Sequence, residues 1–288
     1  MKFAVLAHRR SETNVALVEA ACRLGVDVEL LQPRDALRLL DAGDVALARL
    51  DVRDSLDGIE SGTPELERLA DAGIEVLNPP RALVAAHDKL LTARALRLAA
   101  LPHPHTLLIA AGVPSAAPEL PVVLKPRFGS WGRDVALCRT AEELDSELER
   151  IATREWFQDH GVLAQELIEP QGWDLRVIVA GGRVVGSAKR LAAPGEWRTN
   201  VSLGGHSEAA YAPPLAQSLA LSAAAAIGGD LIGVDLLPTR NGYVIVELNG
   251  AVDFKSWYAR GLESVYTEAV RSLLHAAQVR AATRAASA

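Results

Sequence analysis

The chain has 288 residues, 49% of them hydrophobic and 23% charged, and a formal net charge of −6. This length indicates two or three subdomains, and the acidic balance argues against a general nucleic-acid binder. No apolar run reaches the length of a transmembrane helix, and the start MKFAVLAHRR reads as a strand, not a signal peptide. Two isolated cysteines, Cys22 and Cys138, favour a cytoplasmic protein without structural zinc.

The first 80 residues alternate between short apolar runs and helical segments. Strands are predicted at 2–7, 26–31, 45–50 and 74–80, with helices at 12–24 and 64–73. Such alternation predicts a parallel sheet covered by helices. No GxGxxG follows the first strand, so the dinucleotide-binding fingerprint is absent.

The remaining elements predict two smaller α+β units. One long helix is expected over 81–100, and a unit over 107–167 follows it. Predicted in this part are strands at 121–126, 161–168, 232–238 and 243–249, a hairpin at 174–190, and helices at 141–151, 214–228 and 264–279. The tail RAATRAASA indicates a frayed or disordered end.

Two apolar strands near the end of the chain carry acidic groups. Asp235 lies in IGVDLLP, and Glu247 and Asn249 end the run YVIVELN. Residues two apart in a strand share a face, and pairing through the turn at 239–242 would bring all three side chains together. Oxygen ligands of this kind suit Mg²⁺ or Mn²⁺. The alternative is a pair of strand-end acids on a solvated rim.

A lysine and a glycine-containing loop follow the strand PVVLKP. Lys125 ends that strand, either as an ammonium presented to phosphate or as a charged residue on an edge strand. The loop behind it, RFGSWGRD, contains glycines that let backbone N–H groups approach an anion. Trp131 at its tip is expected to cover a ligand, although any turn can resemble this pattern.

Two polar segments follow along the chain. AQELIEPQGWDLR reads as a hinge that offers backbone groups to an adenine edge, or as a plain connector. Within it, Asp174 and Arg176 share a face and also fit a surface ion pair. WRTNVSLGG places Arg198 and Asn200 in a long loop suited to a carboxylate or phosphate, or merely flexible.

The sequence offers no other convincing chemistry. His103 and His105 resemble a ligand pair, but a Pro-flanked solvated turn without a third ligand explains them better. No Ser or Cys nucleophile pattern is present, and GxSxG is absent.

Taken in order, these motifs resemble the ATP-grasp superfamily of carboxylate–amine ligases, nearest to the RimK-type glutamate ligases. The motifs are Lys89 in AHDKL, Lys125 in LKP, GSWGR, QELIEPQGWDLR, WRTNVSLGG, Asp235 in GVD, and Glu247 with Asn249 in ELN. The resemblance implies an α/β protein in which an N-terminal parallel α/β domain precedes two α+β subdomains that sandwich ATP. The implied domains are 1–82, 83–167 as the lid, and 168–288 with the metal site.

The resemblance also implies a role for each matching residue. Implied for ATP binding are Lys89, Lys125, Ser130, Trp131, Gly132, the hinge Glu166, Leu167, Ile168 and Glu169, and Asp174 near the ribose. Implied as catalytic are Arg190, Arg198 and Asn200. Asp235, Glu247 and Asn249 are implied to bind two Mg²⁺ ions, with Mn²⁺ as a substitute. A carboxylate would attack the γ-phosphate, and an amine would then attack the acylphosphate.

The implied substrates are an acidic amino acid and a carboxylate acceptor, which is a small molecule or a peptide selected around Arg49 and LDGIESG. GSWGR, WRTN and DFKS resemble the LysX-type branch, whose acceptor is an acidic amino-group carrier protein, and a homo-oligomer (dimer or tetramer) is expected. A carrier would need a basic rim, to which Arg127, Arg133, Arg190 and Arg198 would contribute. The alternative from another class is a non-catalytic nucleotide-binding scaffold.

Two departures bear on these expectations. Asp134 follows the glycine loop, where an acid is unfavourable near phosphates unless it points away or pairs with Arg133. Gly250-Ala251-Val252 follows ELN, where LysX-type chains carry larger or polar residues, and this favours a small-molecule or peptide acceptor.

Overall fold

Three β-sheets, each accompanied by helices, build the molecule. The computed structural model describes residues 1–113, 117–259, 261 and 263–287. The sheets contain four, four and five strands and follow one another along the chain. Within the described residues, no helix combines the length and apolar character needed to cross a membrane.

The first sheet is parallel, as the sequence predicts. Its strands are β1 (Lys2–Leu6), β2 (Asp27–Leu31), β3 (Val45–Ala48) and β4 (Glu75–Leu77), in the order β2-β1-β3-β4. The helices are α1 (Glu12–Arg23), α2 (Pro33–Leu39) and α3 (Thr63–Asp71). The short helix α2 is absent from the sequence prediction, although Pro at its first position is a usual helix start.

The single helix predicted over 81–100 is wrong, because the segment breaks at Asp88. Helices α4 (Pro80–His87) and α5 (Lys89–Leu98) meet at this residue, whose backbone is extended. The carboxylate of Asp88 accepts hydrogen bonds from the backbone of Leu90 and Leu91 and thereby caps α5. The break makes Lys89 the first residue of α5, and its side chain lines the main cavity of the molecule.

The second sheet is antiparallel and small. Its strands are β5 (Thr106–Ile109), β6 (Val122–Pro126), β7 (Ala136–Cys138) and β8 (Val162–Glu166), in the order β5-β8-β6-β7. Helices α6 (Ala141–Ile151) and α7 (Glu155–His160) accompany it. The predicted strands around β6 and β8 and the predicted helix α6 are confirmed, whereas β5, β7 and α7 are too short to stand out in the sequence.

The third sheet is antiparallel and carries the acidic strands. It comprises β9 (Trp173–Ala180), β10 (Arg183–Leu191), β11 (His206–Ala209), β12 (Leu231–Thr239) and β13 (Gly242–Asn249), in the order β11-β10-β9-β12-β13. Both predicted hairpins are confirmed. Helix α8 (Pro214–Ile227) begins at a proline and ends at Gly228 in the left-handed conformation.

The final helix contradicts the predicted frayed end. Helix α9 runs from Val265 to Ser287 and so includes most of the RAATRAASA tail. Two of its arginines form ion pairs with acids elsewhere: Arg280 with Glu75 and Asp230, and Arg284 with Glu75. Ion pairs with partly buried acids explain why this polar, alanine-rich segment is helical. Its apolar side packs in one core with the first sheet.

Candidate active site

A large cavity lies between the second and third sheets, and most of the predicted site residues line it. It encloses about 1070 Å³ of empty space, counting the part that is open to solvent. Predicted residues lining it are Lys89, Lys125, Ser130, Trp131, Gly132, Glu166, Leu167, Ile168, Asp174, Arg190, Arg198, Asn200, Asp235 and Glu247. Glu169 and Asn249 are not part of the lining.

The acidic end of the cavity is built by the hairpin of β12 and β13. Asp235 lies directly across from Glu247, and a register shift follows Asp235. The Asn249 amide lies beside them, with Nδ2 3.4 Å from Asp235 Oδ2. The strands join through the turn at 239–242, so the predicted convergence of the three side chains is confirmed.

Asp235 is buried in a network of arginines. Arg176 donates to both of its carboxylate oxygens, at 2.8 and 2.7 Å, and Arg190 Nη2 lies 2.9 Å from Oδ2. Burial acts to raise the pKa of Asp235, but Arg176 and Arg190 outweigh it and hold that pKa well below its usual value. The carboxylate is therefore ionised, and the solvated-rim alternative is wrong for this residue.

The network continues to Asp174, which is also buried. Arg190 donates to both Asp174 oxygens, and Thr199 Oγ1 donates to Oδ2 at 2.5 Å. Asp174 and Arg176 therefore do not pair with each other, and the predicted surface ion pair between them is wrong. No motif assigns a function to Arg176, although its two-residue spacing from Asp174 places both residues on one face of β9.

Two lysines face the acidic strands. Lys89 Nζ lies 2.9 Å from Glu247 Oε1 and donates to the carbonyl of Gly129 at 2.6 Å. Lys125 is buried on β6, which lies inside its sheet, so the edge-strand alternative is wrong. Burial lowers the pKa of Lys125 to about 8, with Lys89 adding to the shift and Glu247 opposing it.

The donor set at the acidic end fits a hard divalent cation. Two carboxylates and one amide oxygen are the ligand types that Mg²⁺ prefers. A carboxylate offers about four lone-pair sites, so Glu247, with its one lysine contact, keeps acceptor capacity for a cation. Asp235 already accepts from Arg176, Arg190 and the Asn249 amide, so a cation there would replace part of these contacts. Across the described ranges, no cluster of three or more His, Cys, Asp or Glu side chains is arranged to hold a metal.

The loop between β6 and β7 folds back over the cavity mouth. Trp131 and Gly132 both have positive φ, at 63° and 70°, and the Trp131 indole is half exposed. A Cβ on Gly132 would lie 3.0 Å from Asn200 Oδ1, so glycine permits this close approach. Asp134 pairs with Arg150 instead of Arg133, which directs its charge away from the cavity.

Arg198 and the hinge complete the walls. Arg198 pairs with Glu196 at 2.8 Å and donates from Nη1 to the carbonyls of Gly132 and Val135. It lowers the pKa of Glu196 to about 2 through a side-chain hydrogen bond. At the hinge, Glu166 Oε2 accepts from the backbone of His105.

The four arginines proposed as a basic rim all have carboxylate partners. Arg127 pairs with Asp88, Arg133 with Asp54, Arg190 with Asp174 and Asp235, and Arg198 with Glu196. Their charge is therefore largely neutralised within the chain. The partners of Arg127, Arg133 and Arg190 could not be identified from the sequence, because they lie far away in the chain and only the fold brings them close. Glu196 is two residues from Arg198 and was within reach of a local pattern.

The two histidines of LPHPHT do not form a ligand pair. His103 is partly buried and its Nδ1 lies 2.7 Å from the Ile245 carbonyl, whereas His105 is exposed. Burial lowers the pKa of His103 to about 4, against a smaller opposing effect of the Ile245 carbonyl. The predicted solvated turn therefore holds for His105 and fails for His103.

Comparisons with known proteins show the family of the chain. Residues 86–263 match the model of the RimK-like ATP-grasp domain. The tetrahydromethanopterin:alpha-L-glutamate ligase of Methanosarcina acetivorans is 31% identical over 217 residues, covering 69% of this chain and 67% of that protein. The glutamate–LysW ligase ArgX of Sulfurisphaera tokodaii is 32% identical over 197 residues, covering 66% and 69%.

A solved structure supports the same fold. The RimK domain protein ATP-grasp from Sphaerobacter thermophilus superposes with a TM-score of 0.66 at 24% identity, covering 95% of this chain and 100% of that one. The predicted ATP-grasp fold, with a parallel sheet followed by two antiparallel ones, is thereby confirmed.

Proposed function

Because the chain belongs to the RimK-like ATP-grasp family and is an ATP-dependent ligase that forms C–N bonds, we propose that it adds glutamate or a similar amino acid to a carboxylate acceptor. ATP-grasp ligases use ATP and Mg²⁺. The non-catalytic scaffold alternative is dropped, since the acidic strands and the facing lysines are all in place.

One observation carries the proposal. Asp235, Glu247, Lys89 and Lys125 line the same cavity, and Lys89 lies 2.9 Å from Glu247, so carboxylates and ammonium groups meet at one end of it. A metal-bound triphosphate has the complementary pattern, because its cation suits the carboxylates and its phosphate oxygens suit the ammonium groups.

We assign the nucleotide-binding roles as the motifs indicate. Lys89 and Lys125 contact the phosphates, the loop residues Ser130, Trp131 and Gly132 cover them, and the hinge Glu166–Glu169 holds the adenine. Asp174 lies near the ribose and fixes Arg190. Asp235, Glu247 and Asn249 would hold two Mg²⁺ ions, which would supply positive charge to the reacting phosphate.

The chain's own residues orient the reaction. The acceptor carboxylate attacks the γ-phosphate, giving an acylphosphate and ADP, and the amine then attacks the acyl carbon and releases phosphate. Both steps build negative charge, and we assign its stabilisation to Arg190, Arg198 and Asn200. In this role Arg190 and Arg198 would share their guanidinium groups between the ligand and their present carboxylate partners. Closure of the lid, residues 83–167, excludes water that would hydrolyse the acylphosphate. No side-chain nucleophile is required.

The acceptor is a small molecule or a peptide in this proposal. The paired state of the four rim arginines supports it, because an acidic carrier protein needs unpaired positive charge to be attracted. The similarity to a ligase named for LysW favours the carrier as the second candidate. The protein is proposed to act in the cytoplasm as a homo-oligomer, with residues 1–82 on the acceptor side and 168–288 carrying the metals.

ADP release provides the test. The protein is incubated with ATP, Mg²⁺ and glutamate together with carboxylic acids, short peptides, or a small acidic carrier protein. Amide formation, detected by mass spectrometry, with small acids or peptides supports the proposal. If the carrier protein is the one acceptor that gives turnover, the second candidate is established. If none of the acceptors leads to ADP release, both candidates are contradicted.

A further inference from the structure

Arg49 is a deeply buried arginine that lacks a close carboxylate. Its Nε donates to Asn14 Oδ1, and its Nη2 donates to the carbonyls of Ala251 and Val252, at 3.3 and 2.8 Å. The ion pair it does form is long, with Nη2 3.7 Å from Asp253 Oδ1. Its Nη1 is buried and has no hydrogen-bond partner among the described residues.

The other two arginines in the interior differ from it. Arg176 donates hydrogen bonds to both carboxylate oxygens of Asp235, and Arg190 donates to both carboxylate oxygens of Asp174. A buried guanidinium is stable when a carboxylate matches its two parallel donors. Arg49 has only neutral acceptors at close range, so its site is short of one negative charge.

The position of Arg49 indicates where that charge would come from. The residue follows β3 at the carboxyl edge of the parallel sheet, which is where ligands bind in α/β proteins. The carbonyls it contacts belong to the segment immediately after Asn249, so the guanidinium lies beside the metal-binding strand. Asp253 is half exposed and can leave Arg49 without a large burial penalty.

A second unpartnered atom flanks the same segment. His87 Nε2 is buried without a hydrogen-bond partner among the described residues, and it lies 3.1 Å from where a Cβ on Gly250 would stand. Two buried nitrogen atoms without hydrogen-bond partners among the described residues therefore border residues 250–252. They are Nη1 of the Arg49 guanidinium and Nε2 of the His87 imidazole. This local shortage of partners indicates a polar ligand next to the metal-binding strand.

We propose that Arg49 binds a second carboxylate of the acceptor, one that is not activated by ATP, and that the acceptor is therefore a dicarboxylate. The inference rests on the proposed ligase function and adds its substrate class. The incoming carboxylate displaces Asp253 and accepts from Nη1 and Nη2 of Arg49, which is a two-donor contact of the same kind as those that Arg176 and Arg190 make through Nε and Nη2. The other carboxylate reaches the γ-phosphate.

The test compares two acceptors that differ by one charge. Glutarate and its monoamide are offered with ATP, Mg²⁺ and glutamate, and kcat/KM is measured for each. The wild-type protein is expected to prefer glutarate at least tenfold. Arg49→Lys keeps a positive charge but loses the two-pronged donor, so it should abolish this preference while KM for ATP stays unchanged. Arg271→Gln, which breaks an exposed ion pair with Glu263 on α9, is the control and should keep the preference.

A second variant tests the same idea in the opposite direction. Asp253→Asn removes the carboxylate that competes for Arg49, so KM for glutarate should fall several-fold while KM for the monoamide stays constant. An unchanged KM for glutarate in this variant would contradict the proposal. So would an equal loss of kcat/KM for both acceptors in Arg49→Lys, because that would leave Arg49 only the role of holding residues 251–252.

Failure of the ligase function itself is distinguishable. If no carboxylate gives ADP with the wild-type protein, the proposed function fails, and binding replaces turnover as the readout. Calorimetry with a non-hydrolysable ATP analogue and Mg²⁺ then compares glutarate with its monoamide. Tighter binding of glutarate that is lost in Arg49→Lys supports the inference, and equal binding of the two compounds overturns it.

Discussion

The two sides of the active-site region differ in how their buried charges are partnered. On the side proposed to bind the nucleotide, Asp235, Arg190 and Asp174 form a continuous chain of close ion pairs. On the side proposed to bind the acceptor, Arg49 is as deeply buried but donates to neutral carbonyls. A site with its charges matched in advance keeps its geometry without a ligand, whereas an unmatched one gains most when the ligand arrives. The difference is consistent with a fixed nucleotide and a selected acceptor.

The largest effect is expected at the metal end of the nucleotide side. Glu247→Gln keeps the shape of the side chain and removes its charge, so turnover should fall roughly 10²–10³-fold because the phosphate charge is less well compensated. Steady-state ADP release measures the loss, and a thermal melt checks that the fold persists. Turnover near the wild-type value at ordinary Mg²⁺ concentration would remove Glu247 from the metal site.

The same substitution on the two sides should separate them by stability. Asp235→Asn leaves two interior arginines with reduced compensation and should cost about 3–5 kcal/mol of unfolding free energy. Asp253→Asn, at a half-exposed position, should change it by less than about 0.5 kcal/mol. Urea denaturation of both variants measures the difference. Equal losses of unfolding free energy in the two variants would mean that the difference in charge pairing does not affect stability.

A glycine at the boundary between the two sides gives an intermediate effect. A Cβ at Gly250 would lie 3.0 Å from Leu83 Cδ2 and 3.1 Å from His87 Nε2. Gly250→Ala should therefore force the segment or helix α4 to shift, at a cost of about 1–3 kcal/mol. Urea denaturation measures this loss. An unchanged midpoint of unfolding would show that α4 can shift without a cost in stability. The glycine that departs from the LysX-type pattern thus has a packing reason.

The smallest effect concerns pH and Lys125. With its pKa lowered to about 8 by burial, Lys125 loses its charge in the free protein above that pH. Affinity for an ATP analogue should fall about tenfold between pH 7 and pH 9, since Lys125 is still protonated in only about one molecule in ten at pH 9. Calorimetry measures it, and Lys125→Arg should flatten the profile. An equally steep profile in Lys125→Arg would assign the titration to another group.

The same pKa shift affects stability with a definite sign. The folded protein releases the Lys125 proton near pH 8, whereas the unfolded chain holds it until about pH 10.5. The unfolded state therefore binds more protons between these values, so this residue's contribution to stability rises with pH across that window.

The sequence predicts the acidic strands well because strand periodicity alone determines which side chains share a face. Asp235 and Glu247 needed only the hairpin turn to meet. The break at Asp88 was missed because helix propensity runs through it, and only the capping carboxylate and its pairing with Arg127 reveal the boundary. The sequence predicts that the acceptor is selected around Arg49. It does not predict that the Arg49 guanidinium donates to backbone carbonyls such as that of Val252 instead of a close carboxylate, because these residues lie far apart in the chain.

Helix α9 also bears on how the chain is made. Its Val270 and Leu273 share one core with Phe3 and Val5 of strand β1. Domains built from a contiguous stretch can fold during synthesis. The first sheet does not follow that scheme, because part of its apolar face stays uncovered until α9, which comes after the other two sheets in the chain, has been translated. A nascent chain arrested before Val265 would expose that part to chaperones and proteases, so the sheet is fully covered only after the two sheets that follow it have been made.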